Sequence, residues 1–146
     1  MDKRFIVLGC DHAGYELKEF LKNWLQDMGY EIRDYGTFSN ESVDYPDFIH
    51  PAAKSVSENE ADMAIVICGS GNGAAMTANK YGNVRAALCW NKEISALARQ
   101  HNDANVLALP ARFLNFNEAK EIVRTFLNTD FENERHSRRI EKIPVR

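Results

Sequence analysis

The sequence predicts an α/β fold, a three-layer, Rossmann-like domain with a five-stranded parallel sheet between helices. Three observations lead there. Short apolar runs rich in β-branched residues alternate with segments whose apolar residues recur every three or four positions. The strongest runs, at 4–9 and 64–68, are apolar almost throughout, as strands covered on both faces are. The crossover lengths between runs suit helices that return the chain to a parallel sheet. At 146 residues the chain fits a single domain with a sizeable core.

The first strand, 4–9, leads into Cys10-Asp11-His12-Ala13-Gly14. Leu17, Phe20, Leu21, Trp24, Leu25 and Met28 then repeat at helical spacing, predicting an amphipathic helix over 15–28 that Gly29 ends. Residues 30–34 alternate in polarity and read as a more exposed second strand at the sheet edge. A polar loop follows over 36–44. Tyr45-Pro46 opens a helix whose core face is Ala52, Ala53 and Val56, and Pro51 predicts a kink or a later start. The third strand runs into Gly69-Ser70-Gly71-Asn72-Gly73 and then a helix-compatible stretch from Ala74 to Lys80. The fourth strand is read at 84–89, a helix capped by Asn91 at 92–101, and the fifth strand at 105–109, closed by Pro110. Ala119, Ile122, Val123, Phe126 and Leu127 give the next helix its apolar face, with Asn117 as the expected cap. The tail, 131–146, has no core-sized apolar face and carries Arg135, His136, Arg138 and Arg139, so docking on a partner subunit would give it cations to deliver.

Composition narrows the function classes. A net charge of −3 gives no general attraction to nucleic acid, and no run approaches a membrane span. The N-terminus leads directly into a strand rather than a signal peptide. Three cysteines without disulfide-framework spacing indicate reduced thiols and a cytoplasmic setting, and their separation argues against a structural zinc site.

The stretch with chemical content is the third strand and its glycine loop. Backbone N–H groups of a strand–glycine–helix junction point at an anion, and Cys68 stands where their positive potential favours a thiolate. In an open parallel sheet, ligands bind beyond the carboxyl ends of the strands, where the winding reverses. Asp11-His12 after strand one, Cys68 to Gly73 after strand three and Arg112 after strand five meet there, while the direction of His101-Asn102 stays open. A thiol, a carboxylate, imidazoles, amides and arginines make a set for proton transfer beside a phosphate. Cys10 and Cys89 lack such a loop and read as core fillers, His50 carries no role, and Arg138 reads as surface. His136 is held outside the site as part of a solvated face. Asp11 could also cap the following turn, which is compatible with chemistry.

Gly9-Cys10-Asp11-His12, Asp44-Tyr45-Pro46, Ile67-Cys68-Gly69-Ser70-Gly71-Asn72-Gly73, Ala78-Asn79-Lys80, the run from Arg99-Gln100-His101-Asn102 to Leu107, and Arg135-His136 through Arg139 carry a resemblance. In order and spacing they resemble the B-type ribose-5-phosphate isomerases, a family that also includes allose-6-phosphate isomerases and galactose-6-phosphate isomerase subunits. The resemblance implies an aldose–ketose isomerase of a sugar phosphate that needs neither cofactor nor metal. It implies Cys68 as the base moving a proton between C2 and C1, and His101 as the acid in ring opening with Asp11 close by. It gives Gly69, Ser70, Gly71, Asn72 and Gly73 to the enediolate oxygens. It further implies His12, Arg112, Arg135 and Arg139 as phosphate ligands, Asn102 as a substrate contact and Tyr45 as a lining residue. Family sites are completed by two subunits, so a homodimer or homotetramer is expected. Members lacking the cysteine carry a glutamate where Ala74 stands; here the cysteine is present and Ala74 cannot act as a base. Ser70 replaces the threonine of many members and keeps the hydroxyl.

Two other readings fit parts of the sequence. A hexose 6-phosphate could be the substrate within the same family. A phosphate- or nucleotide-binding module is the reading outside it, against which the loop lacks both the G-x-G-x-x-G spacing and a P-loop lysine.

Overall fold

The computed structural model describes residues 4–145. Strands are β1 (Phe5–Cys10), β2 (Glu31–Asp34), β3 (Met63–Cys68), β4 (Ala86–Leu88) and β5 (Val106–Pro110). Helices are α1 (Tyr15–Asp27), α2 (Tyr45–Ser57), α3 (Asn72–Ala78), α4 (Lys92–Asn102), α5 (Phe116–Asn128) and α6 (Glu134–Ile140). Among the described residues the strands form one sheet in the order β2-β1-β3-β5-β4, every pair parallel. The expected five-stranded parallel sheet is therefore present, with β2 at an edge.

Apolar side chains split between the two faces. Leu17, Leu21 and Leu25 of α1, Ala98 of α4 and Ile122, Val123 and Phe126 of α5 pack with Ile6, Leu8, Ile65 and Leu107. Ile49, Ala52, Ala53 and Val56 of α2 and Ala74 and Ala78 of α3 pack with Val7, Val66 and Ala108 on the other side. Sequential connections leave β1 toward β2 on one side and reach β3 on the other. The winding thus reverses between β1 and β3, where their carboxyl ends open a crevice.

Three local expectations change. α2 runs unbroken through Pro51. The carbonyl that Pro51 cannot satisfy belongs to Asp47, which is exposed to water, while Ile49, Ala52, Ala53 and Val56 are buried, so packing outweighs the missing bond. The cap of α5 is Asn115, not Asn117: its side chain accepts from the Glu118 N–H while Glu118 reaches back to the Asn115 N–H. The tail contains a short helix, α6, that packs on α4 and buries one residue, His136.

Candidate active site

At the crevice, β1 ends on Cys10 and the chain turns sharply. Asp11 is 7% exposed and caps that turn, its Oδ1 accepting from the Ala13 N–H at 3.0 Å and the Gly14 N–H at 3.3 Å. Its own N–H donates to the Ile67 carbonyl at 3.3 Å, locking the end of β1 to the end of β3. The carboxylate therefore caps and faces the hollow at once.

Cys68 closes β3, 5% exposed, opposite Pro110 of β5. Gly71 takes φ +77 to start α3, a conformation side chains resist. The leading N–H groups of a helix have no carbonyl partners of their own; that of Asn72 bonds the Ser70 Oγ at 3.3 Å. Arg112 is drawn in by its main chain, its N–H donating to the Gly69 carbonyl at 3.0 Å. Its guanidinium lies against Gly69, where an added Cβ would meet Nη1 at 3.1 Å. Tyr45, at the start of α2, rests its ring on Gly73, where a Cβ would fall 2.4 Å from the ring. Asp11, Tyr45, Cys68, Gly69, Ser70, Gly73, Arg112 and Phe113 line one hollow of about 450 Å³, within the range of small-ligand pockets.

His12 stands beside this hollow with its ring fixed. Its Nδ1 accepts the Val43 N–H at 3.2 Å, so in the neutral ring the proton sits on Nε2, which is left to donate. The two remaining cysteines fill the core as expected. Burial pushes both Cys10 and Cys89 up to about 12, so neither is a nucleophile near neutral pH. His50 binds the Tyr81 hydroxyl at 2.7 Å, away from the hollow.

The remaining expected residues sit elsewhere in the chain. Helices between parallel strands run back, so the end of α4 lies at the amino edge of the sheet. His101 and Asn102 precede β5, whereas Cys68 pairs with its last residue. The five residues of β5 alone span about 15 Å. Arg135 and Arg139 are exposed on α6, beside His101. Each chain thus carries a thiol–carboxylate–arginine pole and an imidazole–arginine pole.

His136 is the residue that pattern reading left out. Its ring is buried and stacks on His101, centroids 4.3 Å apart and planes 16° from parallel. No spacing in the sequence pairs residues 101 and 136; only the docking of α6 does. His101, Glu132 and His136 bring candidate ligand atoms within 4.8 Å of one another. Rings stacked so nearly parallel aim their in-plane lone pairs side by side rather than at one point, which suits a metal ion poorly. Among the described residues no other such cluster of three occurs, and no helix is long and apolar enough to cross a membrane.

The family model for ribose/galactose isomerases matches residues 6–143, spanning both poles. The chain belongs to the ribose/galactose isomerase family. Ribose-5-phosphate isomerase B of Escherichia coli K12 is 41% identical over 138 residues, 94% of this chain and 93% of that protein. The crystal structure of a ribose-5-phosphate isomerase from Thermotoga maritima superposes with a TM-score of 0.95 at 48% identity, covering 97% of this chain and 98% of that one. Ribose-5-phosphate isomerase B from Mycoplasma genitalium, solved with bound ribulose 5-phosphate, gives 0.93 at 41% identity, covering 97% and 95%. Like these members of the ribose/galactose isomerase family, the chain is an aldose–ketose isomerase with the α/β sheet they share.

Proposed function

We propose that the chain interconverts ribose 5-phosphate and ribulose 5-phosphate through a cis-enediolate, without a redox cofactor. The observation that carries the reading is the hollow in which Cys68, Asp11, the Gly69–Gly73 loop and Arg112 face one another. Carbon acids beside a carbonyl are weak, so a base works only if the developing oxyanion is held by donors already in place. The Cys68 thiolate takes the proton from C2 and returns it to C1, while loop N–H groups and the Ser70 hydroxyl hold the oxygens. Arg112 and the His12 Nε2–H take the phosphate.

Ring opening falls to His101, delivered by a second copy of the chain together with Asn102, Arg135 and Arg139. Two observations support this assembly. The two poles lie at opposite sheet edges of one chain. An exposed apolar face also adjoins the hollow: the Phe113 ring packs tilted against that of Trp90, centroids 5.1 Å apart, and α4 exposes Ile94 and Leu97.

Cys68→Ala, with Cys68→Ser as control, tests the base. Turnover of ribose 5-phosphate should fall about 10³-fold, the scale of a lost general base; retained turnover removes Cys68 from that role. The family description covers galactose as well as ribose, so kcat/KM on ribose, allose and galactose phosphates decides between five- and six-carbon substrates.

A further inference from the structure

The only side chain that α6 buries is His136, 6% exposed, and it spends that burial on one ring face of His101. The docking is specific. The Glu132 N–H donates to the Gln100 carbonyl at 2.9 Å, tying the tail's approach to the last turn of α4. That turn is itself clamped, because Arg99 Nη1 donates to the Ala104 carbonyl at 2.6 Å and to Asp103 Oδ1 at 2.9 Å. His101 therefore has a fixed helix behind it and a fixed ring above it, with the Glu132 carboxylate within reach of both imidazoles.

The charges around the stack are unequal. Burial first, then His101 on α4 and Arg135 and Arg139 on α6, push the His136 pKa below its ordinary value; Glu132 alone opposes them. Two imidazoliums face to face would repel, so charging one ring disfavours charging the other. His101 sits at a helix carboxyl end, where a cation is favoured.

We propose that His136 is a positioning residue for His101, a stacked ring that fixes the imidazole plane and whose charge His101 feels. The catalytic consequence rests on the reading of His101 as the ring-opening acid. In that step a proton passes to the furanose ring oxygen as the anomeric C–O bond breaks, and the anomeric hydroxyl gives one up. A ring free to rotate would present its N–H to that oxygen only part of the time.

The test follows the His101 imidazole by NMR across pH in the full-length protein, with kcat and KM on ribose 5-phosphate measured alongside. The variants are His136→Phe, which keeps a stacked ring without its proton, and His136→Ala, which removes the stack. In the unaltered protein the His101 signal should show a second, more acidic inflection from its neighbour, and His136→Phe should abolish it. His136→Ala should lower kcat about tenfold or more with KM changed less than twofold, and His136→Phe should recover most of that loss. Superimposable His101 titrations in the unaltered protein and His136→Phe, or equal kcat in all three, would overturn the proposal. His101→Asn keeps the two readings apart: undiminished turnover there removes His101 as the acid, while the NMR curves still report whether His136 governs its ring.

Discussion

Single atoms decide much of the site. Among the three sulfurs, Cys10 and Cys89 lie in the core with pKa values near 12, which leaves roughly one thiolate in ten thousand at pH 8. Cys68 opens on the hollow. Iodoacetamide at pH 8 should alkylate Cys68 at least tenfold faster than either, read by peptide mass; equal rates would deny it an accessible thiol. Gly73 sits under the Tyr45 ring with no room for a methyl. Tyr45 is a flexible, partly exposed side chain, so Gly73→Ala should fold normally yet displace the ring and lower kcat/KM about tenfold. A double-mutant cycle with Tyr45→Ala should then be less than additive. At this scale the meeting of Cys68, Asp11 and the glycine loop was legible because each stands at or just past the carboxyl end of a strand of the expected parallel sheet. His136 was not, because its partner is thirty-five positions away and only the tail's docking joins them. The α5 cap was misread by two residues because Asn115 and Asn117 are both good caps, and only the reciprocal bond with Glu118 separates them.

Among elements, the tie between α1 and β2 is the most exacting. Lys18 is wholly buried, with Nζ 2.8 Å from Asp34, 3.3 Å from Glu19 and donating to the Thr37 carbonyl. Burial alone would raise the Asp34 pKa, but hydrogen bonds from Lys18, Lys22 and the Gly36 N–H overcome it and hold the carboxyl below its ordinary value. A carboxyl lowered on folding stabilises above its unfolded pKa, and that stability is lost as pH falls through the folded value. Lys18→Met should therefore cost about 3 kcal/mol in urea unfolding at pH 7 by taking from Asp34 its one wholly buried cation, with the gap to the unaltered protein closing below about pH 4. A pH-independent gap would mean packing rather than charge. Helical spacing predicted where α1 lies but gave no hint of this pair, since a lysine in an amphipathic helix ordinarily points to water. Pro51 in α2 shows the opposite failure, a local rule outweighed by the buried face around it.

At the level of the whole molecule, alternation of strands and helices was enough to anticipate the parallel sheet and its crevice. The return direction of α4 was the part pattern could not supply, and it decides that His101 stands at the far edge from Cys68. If a second copy bridges that gap, two dead variants should revive each other. Cys68→Ala and His101→Asn chains, coexpressed and freely paired, should regain about a quarter of normal turnover, since half the dimers mix and each mixed dimer has one intact site. No recovery above either variant alone would place both roles in one chain. The length of β5 then has a kinetic meaning. Under the proposed assembly, a strand that holds the sulfur and the imidazole apart within every polypeptide would make the lone subunit a half-enzyme. Specific activity should accordingly collapse on dilution below the dissociation constant, and freshly synthesised chains stay inert until they meet.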